Sequence, residues 1–542
     1  MRVHFEDLVE TVTFTIPYPH RVAQADLETA AAIDRFVALK LQSLHIPPSP
    51  QCDDATFLRR VYLDLIGTLP TPEEVRAFLA DRRENRREVV VDALFERSEF
   101  VDYWTLFLAD LLQNRKERDH DVRGVKGVRA FHGWIRQQVA AGSGWDEIAS
   151  SVLTSKRSSF EHPQVGYYVV TVGEKRPTET SEVMDSVAQS FLGTRIGCAK
   201  CHNHPLEKYT QDDYHHFAAF FSRLGLDRHK PEEGPTVLMV ASQDRMNLVR
   251  RIEQLEKKLA EMPPMPAEES KDAAEEEKRQ KQLQQQREQL EKAKAELANF
   301  TEKPVQVRQP RTGAMLPPRP LDRRDLPVDP QSDPREMLVD WMTDPANEYF
   351  SGAMVNRLWK HFLGVGLVEP VDDLRPSNPP SNGPLWDELN RQFVESGYSF
   401  RHIMRMIVLS ETYQASSKTL PENATEQRFY SHFYARRLPA EVLVDAVSQA
   451  TGVPDTYPGY PRGIRAIQLA DPTVESYFLG LFGRSNRTTA CACERTGEVT
   501  LPQLLHLQNG DWIEPKLRSA DGRLRQLVAK EANNDLVLDE LF

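Results

Sequence analysis

The chain has 542 residues, which at roughly 150 per domain suggests about three to four domains, and 40% hydrophobic with 27% charged residues fits a globular protein with real cores. The net charge of −12 argues against a nucleic-acid binder or an anionic membrane surface as partner, and no apolar run of transmembrane length occurs. The N-terminus "MRVHFEDLVETVTFTIPYPH" has no basic segment leading into an apolar one, so no signal peptide is read in it. Thr11 to Ile16 alternates as a strand would, with Val12, Phe14 and Ile16 on one face. Residues 1–23 read as the remnant of an upstream β-domain, with the chain beginning too late; a short strand added to this protein's own edge is the alternative.

Helices follow from residue 24. "LETAAAIDRFVALKLQSLHI" places Ile33, Val37, Leu41 and Leu44 at helical spacing. "TLPTPEEVRAFLAD" predicts a helix start with Thr71 as N-cap, Pro72 at the first helical position and Glu74 closing a capping box. "FVDYWTLFLADLL" gives another helix, whose stripe of Tyr103, Phe107 and Leu111 reads as core rather than as a ligand platform. More helices surround Trp134 and Trp145. The β-branched, aromatic "VGYYVVTVG" at 165–173 reads as a short strand or extended segment. "TSEVMDSVAQSFLG" should be a helix ending near Gly193, and Thr210 with Asp213 should open the next one.

From 243 to 300 the spacing of Leu248, Ile252, Leu255 and Leu259, and then of Leu283, Leu290 and Leu297, predicts an antiparallel helical hairpin, a coiled coil with a weak seam. It is either a solvated insertion or an arm for docking another protein. Residues 301–334 are Pro-rich and basic, a linker. Helices return from 335 to about 450, with Pro439 starting and Gly452 ending the last of them. Residues 460–510 mix loops with one helix, and 516–542 form a tail. The class is mainly α: multi-helical domains, a long helical hairpin insertion and a few short strands.

Chemistry concentrates in "GCAKCHNHP". Thiols two residues apart can add to the two vinyl groups of one haem, and a histidine directly after the second then sits under the iron. Cys198, Cys201 and His202 have that arrangement. The same thiols with His202 or His204 would also serve zinc or another divalent metal, and His215 and His216 are further donors nearby. A disulfide or inert thiols is the third reading. A distal iron ligand, where there is one, would be His215, His216 or Met184. Cys491 and Cys493 form a second pair, too close for an unstrained mutual disulfide, and suited either to joint metal ligation or to burial. Arg484 and Arg487 precede that pair and suit an anion, a haem propionate or nearby carboxylates. Cys52 reads as a small buried hydrophobe. Asp372, Asp373 and Arg375 suit acid/base work or a cation, or else an ion-paired loop that straps helices together. Signatures of common NTPases, zincins, α/β-hydrolases and dinucleotide binders do not occur in the sequence.

Long blocks resemble a known family. "FLRRVYLDLIGTLPTPEEVRAFLAD" and "IGCAKCHNHPLEKYTQDDYHHFAAFFSRL" look like a cytochrome-like PSCyt domain over 24–225. "PREMLVDWMTDPANEYFSGAMVNRLWKHFLGVGLVEPVDDLRPSNPPS" and "FGRSNRTTACACERTGEVTLPQLLHLQNG" look like a PSD domain over 335–515. Such paired-domain proteins occur in planctomycetes, verrucomicrobia and related bacteria, and both domains are of unknown function. The resemblance implies a periplasmic or envelope protein, with Cys198, Cys201 and His202 as a haem c attachment site and a role in electron transfer. Its redox partner or envelope partner is not specified. A metal-dependent envelope enzyme acting on complex carbohydrate, or a scaffold, is the alternative. Because the Cys-His motif lies inside a family-like block, haem stands ahead of zinc.

Overall fold

The computed structural model describes residues 2–5, 8–12, 14–19, 31–116, 124–172, 180–205, 207–227, 237–261, 273–327, 329–490, 494–495, 499–530 and 533–541. The protein is mainly α, with strands confined to short antiparallel ladders. Local sequence chemistry sets many helix ends. Thr71 accepts from the Glu74 amide, and Glu74 returns a bond to the Thr71 amide, with Pro72 at the first helical position. The same box, Thr210 with Asp213, opens the helix Gln211–Ala218. Gly452 ends the helix Ala440–Thr451 in the left-handed region, φ 71°, where a Cβ would be strained.

Two expected strands are corrected. The N-terminal ladder pairs Arg2–Phe5 with Leu8–Thr11, and among the described residues Val12, Phe14 and Ile16 belong to no strand. Phe14 and Ile16 are exposed there, and Pro17 and Pro19 cannot donate to a ladder. The segment expected as a strand at 165–173 instead forms the helix Gly166–Thr171. All its residues are buried, so period-2 patterning had no solvent face to report. Tyr168 Oη donates to Leu153 O, and Tyr167 Oη bonds Ser186 Oγ, which satisfies both hydroxyls in the interior.

One hydrophobic core runs from Ile33 to Phe433. It joins helices on both sides of the Pro-rich segment. Trp145 is central: its ring stacks on Phe191 at 5.1 Å and on Phe350 at 6.1 Å. The last part of the chain has its own cluster around Val444, Phe478 and Phe482. A small bridge of Leu63, Tyr103, Leu106, Val442 and Ile467 ties that cluster to the first half. The helices Gln243–Ala260 and Ala273–Ala298 pack against each other, with Glu256 paired to Lys294, and Asp244 of the first pairs with Lys303 beyond the second. Their apolar seam is short and separate from the main core: Ile252, Leu255, Leu290 and Ala293, with Leu259 and Leu297 against them. Leu283, expected in a heptad seam, lies outside that cluster. Among the described residues no helix is long and apolar enough to cross a membrane.

Candidate functional site

The Cys-His motif occupies a tight turn between two helices. The helix Thr180–Leu192 stops at Gly193, φ 59°, and the Leu374 amide bonds the Gly193 carbonyl at that stop. The turn Gly197–Lys200 follows. Ile196 and Ala199 are buried under it, while Cys198 and Cys201 are free thiols exposed to solvent. Gln211 clasps the turn from the next helix: its side chain donates to Lys200 O at 3.0 Å, and its amide donates to Asn203 Oδ1 at 3.1 Å. That helix is anchored in turn. Its capping residue Asp213 is ion-paired with Arg323 at 2.9 Å.

His202 is exposed, and its Nδ1 lies 2.7 Å from Asn203 O. A carbonyl can only accept, so Nδ1 is the donor here, and the neutral ring then has its lone pair on Nε2. This is the tautomer that an Nε2 metal ligand needs. His204 differs: burial, and then the Arg375 charge beside it, hold its imidazole towards the neutral form. His216 donates from Nδ1 to Pro317 O at 2.6 Å. His215 is buried, with its ring against Tyr214, and Nε2 has no hydrogen-bond partner among the described residues. Met184 is fully buried in the core.

A carboxylate lies beneath the turn. Burial pushes Asp185 up to about 6, against the pull of Lys200. The loop "VDDLRPSNPPS" straps the turn to the Glu348–Leu363 helix. Asp372 is fully buried, bonded to Gln189 and ion-paired with Arg195 at 2.7 Å. Asp373 pairs with Arg375 at 3.0 Å, Arg375 with Glu207 at 3.5 Å, and Ser377 donates to Glu207. The carboxylates of this loop are thus spent on ion pairs, as the strap reading expects.

Not every predicted donor comes together. Among the described residues no three His, Cys, Asp or Glu side chains form a group able to hold a metal ion, so His202, His204, His215 and His216 do not make one set. Cys491 and Cys493 lie outside the described residues. Their neighbours are placed: Arg487 donates to Asp110 Oδ1 at 2.8 Å and to the carbonyls of Asn114 and Ala470, and Arg484 donates to Val474 O. Both arginines therefore serve this chain's own carboxylate and carbonyls. Cys52 is buried, and burial pushes its thiol up.

A second feature escaped the sequence. A cavity of about 230 Å³ opens between the helices Ser98–Leu111 and Glu348–Leu363 and the residues Ser485, Thr489, Ala490, Glu494 and Arg495. The stripe Tyr103, Phe107 and Leu111 lines it, so the face read as core packs against a hollow. Beside it, Asp110 binds both Arg487 and Arg495, and Arg495 also binds Glu441 at 2.8 Å. His361 also lines the cavity. Its Nε2 donates to Asp64 O at 2.9 Å, and burial drives its titration down to about 4, so it is neutral near pH 7. No motif marks this cavity, because its walls come from residues some 250 to 390 positions apart.

A two-part, mainly helical protein with an exposed Cys-x-x-Cys-His turn is the class these features define. Family comparison places it further. The PSCyt2 family model, a protein of unknown function (DUF1549), matches residues 32–225. The PSD1 model, likewise a protein of unknown function (DUF1553), matches residues 334–540. The chain belongs to the proteins that pair these two domains in this order. No curated protein matches the chain, and no solved structure does.

Proposed function

We propose that the protein is a c-type haem protein of the periplasm or cell envelope that passes single electrons. Cys198 and Cys201 would carry the thioether bonds, and His202 would supply the axial nitrogen. The observation that carries this reading is the arrangement of the turn: both thiols are free and exposed, and the His202 Nδ1 contact with Asn203 O leaves Nε2 of the neutral ring available to coordinate. Bound haem would contribute a one-electron carrier whose potential the surrounding charges tune. The polypeptide's part is to hold the turn rigid, through Gln211 on one side and the Asp372 and Arg375 strap on the other.

A cytochrome-like family label for the first domain agrees with haem. For the redox or envelope partner, the proposed contact is the 243–300 hairpin, whose apolar seam is independent of the main core.

The test is to export the chain in a host with haem-attachment machinery. A red product whose spectrum sharpens on dithionite reduction, and which His202→Ala alters, supports the reading. A colourless product that metal analysis shows to hold zinc overturns it.

A further inference from the structure

Among the described residues, two charges on the wall of the cavity between the Ser98–Leu111 and Glu348–Leu363 helices have no ion-pair partner: Glu494, whose oxygens are met by hydroxyls and an amide, and the cation Arg357. Arg357 lines it and is 8% exposed. Of the five N–H donors a guanidinium carries, one is given to Ala353 O at 3.0 Å and one to Gln189 O at 2.6 Å. Among the described residues no carboxylate lies within ion-pairing distance of it. The acidic group acting on it is Asp372, which is already committed to Arg195 and Gln189. One carboxylate therefore serves two guanidiniums, and the cluster is left with net positive charge. A buried charge in that position is costly until a counter-charge reaches it. Burial pulls Arg357 down only to about 10, so it stays a cation near neutral pH.

The other charged groups on the wall are occupied. Asp110 is shared by Arg487 and Arg495. Lys360 pairs with Glu369 at 2.9 Å. Glu494 accepts from the Ser485 and Thr488 hydroxyls and from the Thr489 amide. The remaining wall is apolar and rich in rings. Trp104 lies 5.1 Å from Phe107 and 4.9 Å from His361 between centroids, and Leu111 and Val371 complete the surface. The Trp104 indole N–H is spent on Leu65 O, so that ring offers its faces and edges rather than a donor. A dry cavity of about 150 Å³ is known to hold benzene. The space here, about 230 Å³, admits one ring with a short acidic arm.

We infer that this cavity binds a small aromatic carboxylate, its ring against Trp104 and Phe107 and its carboxylate on Arg357. The site does not involve the Cys-His turn, and the inference stands whether or not haem is attached there.

Titration calorimetry of the full chain tests it with three probes that share a benzyl group: phenylacetate, benzyl alcohol and benzylamine. Phenylacetate should bind at least about tenfold more tightly than benzyl alcohol, the worth of one charge-assisted hydrogen bond. Benzylamine should bind worst of the three. Arg357→Met, checked for native circular dichroism, should abolish the preference for the acid while keeping the alcohol's affinity. The comparison among probes on the unaltered protein decides the matter even where that variant fails to fold. Equal affinities for acid and alcohol, a preference for the amine, or no binding of any probe at millimolar concentration would each overturn the inference.

Discussion

The Cys-His turn and the buried cavity are built in opposite ways. Within the turn, the reactive groups sit within five consecutive residues, are exposed, and depend on the fold only for rigidity. In the cavity, the charged groups are half-buried or buried and are held by partners from both family regions, such as Asp110 with Arg487 and Arg495. The contrast teaches that chemistry carried by a local motif can be changed at little cost in stability. Chemistry carried by an interdomain network cannot. Substitutions at the two places should therefore separate function from folding.

The largest effect is expected at the network. Among the described residues, Asp110→Ala removes the only carboxylate paired with Arg487, whose side chain is 2% exposed. Stranding a buried charge costs about 3–5 kcal/mol. Urea or guanidinium denaturation should show that loss, while any haem bound at the turn stays attached. Comparable haem loss in this variant would break the contrast.

Asp185 should give an intermediate and pH-dependent effect. Its titration is raised from 3.8 to about 6 by burial, so the folded state holds more protons than the unfolded state between those values. Its contribution is thus most favourable below about pH 4 and is lost as the pH rises through about 6. At 1.36 kcal/mol per unit the loss is at most about 3 kcal/mol. Stability measured across this window should fall less steeply in Asp185→Asn. An unchanged slope would remove Asp185 as its source.

The smallest effect on stability should come from the turn itself. Cys198→Ser and Cys201→Ser alter exposed side chains, and such changes usually stay within about 0.5 kcal/mol. Their midpoints in denaturant should match the parent chain, while each loses one of the two thioether bonds to haem. A large drop in midpoint would mean that the thiols are structural.

Legibility in the sequence follows the same divide. Thr71 with Glu74, Thr210 with Asp213, Pro439 and Gly452 act on neighbours a few residues away, and the helix ends they predict are present. The strand expected at 165–173 failed because complete burial erased the solvent face that periodicity reports. The Tyr103, Phe107 and Leu111 stripe was legible as an apolar face, but not as a cavity wall. Its opposite wall, with Arg357 and Val371, arrives from the other family region. The domain pairing was readable from long blocks of sequence. The core shared from Ile33 to Phe433 was not, because no local pattern encodes which helices meet.

The most direct test of the central claim is intact and peptide mass analysis of chain exported alongside haem-attachment machinery. The account predicts a gain of one haem, located on the peptide that holds Cys198 and Cys201 and absent from the double Cys→Ser variant. An unmodified mass for that peptide, in a correctly folded and exported protein, would contradict it.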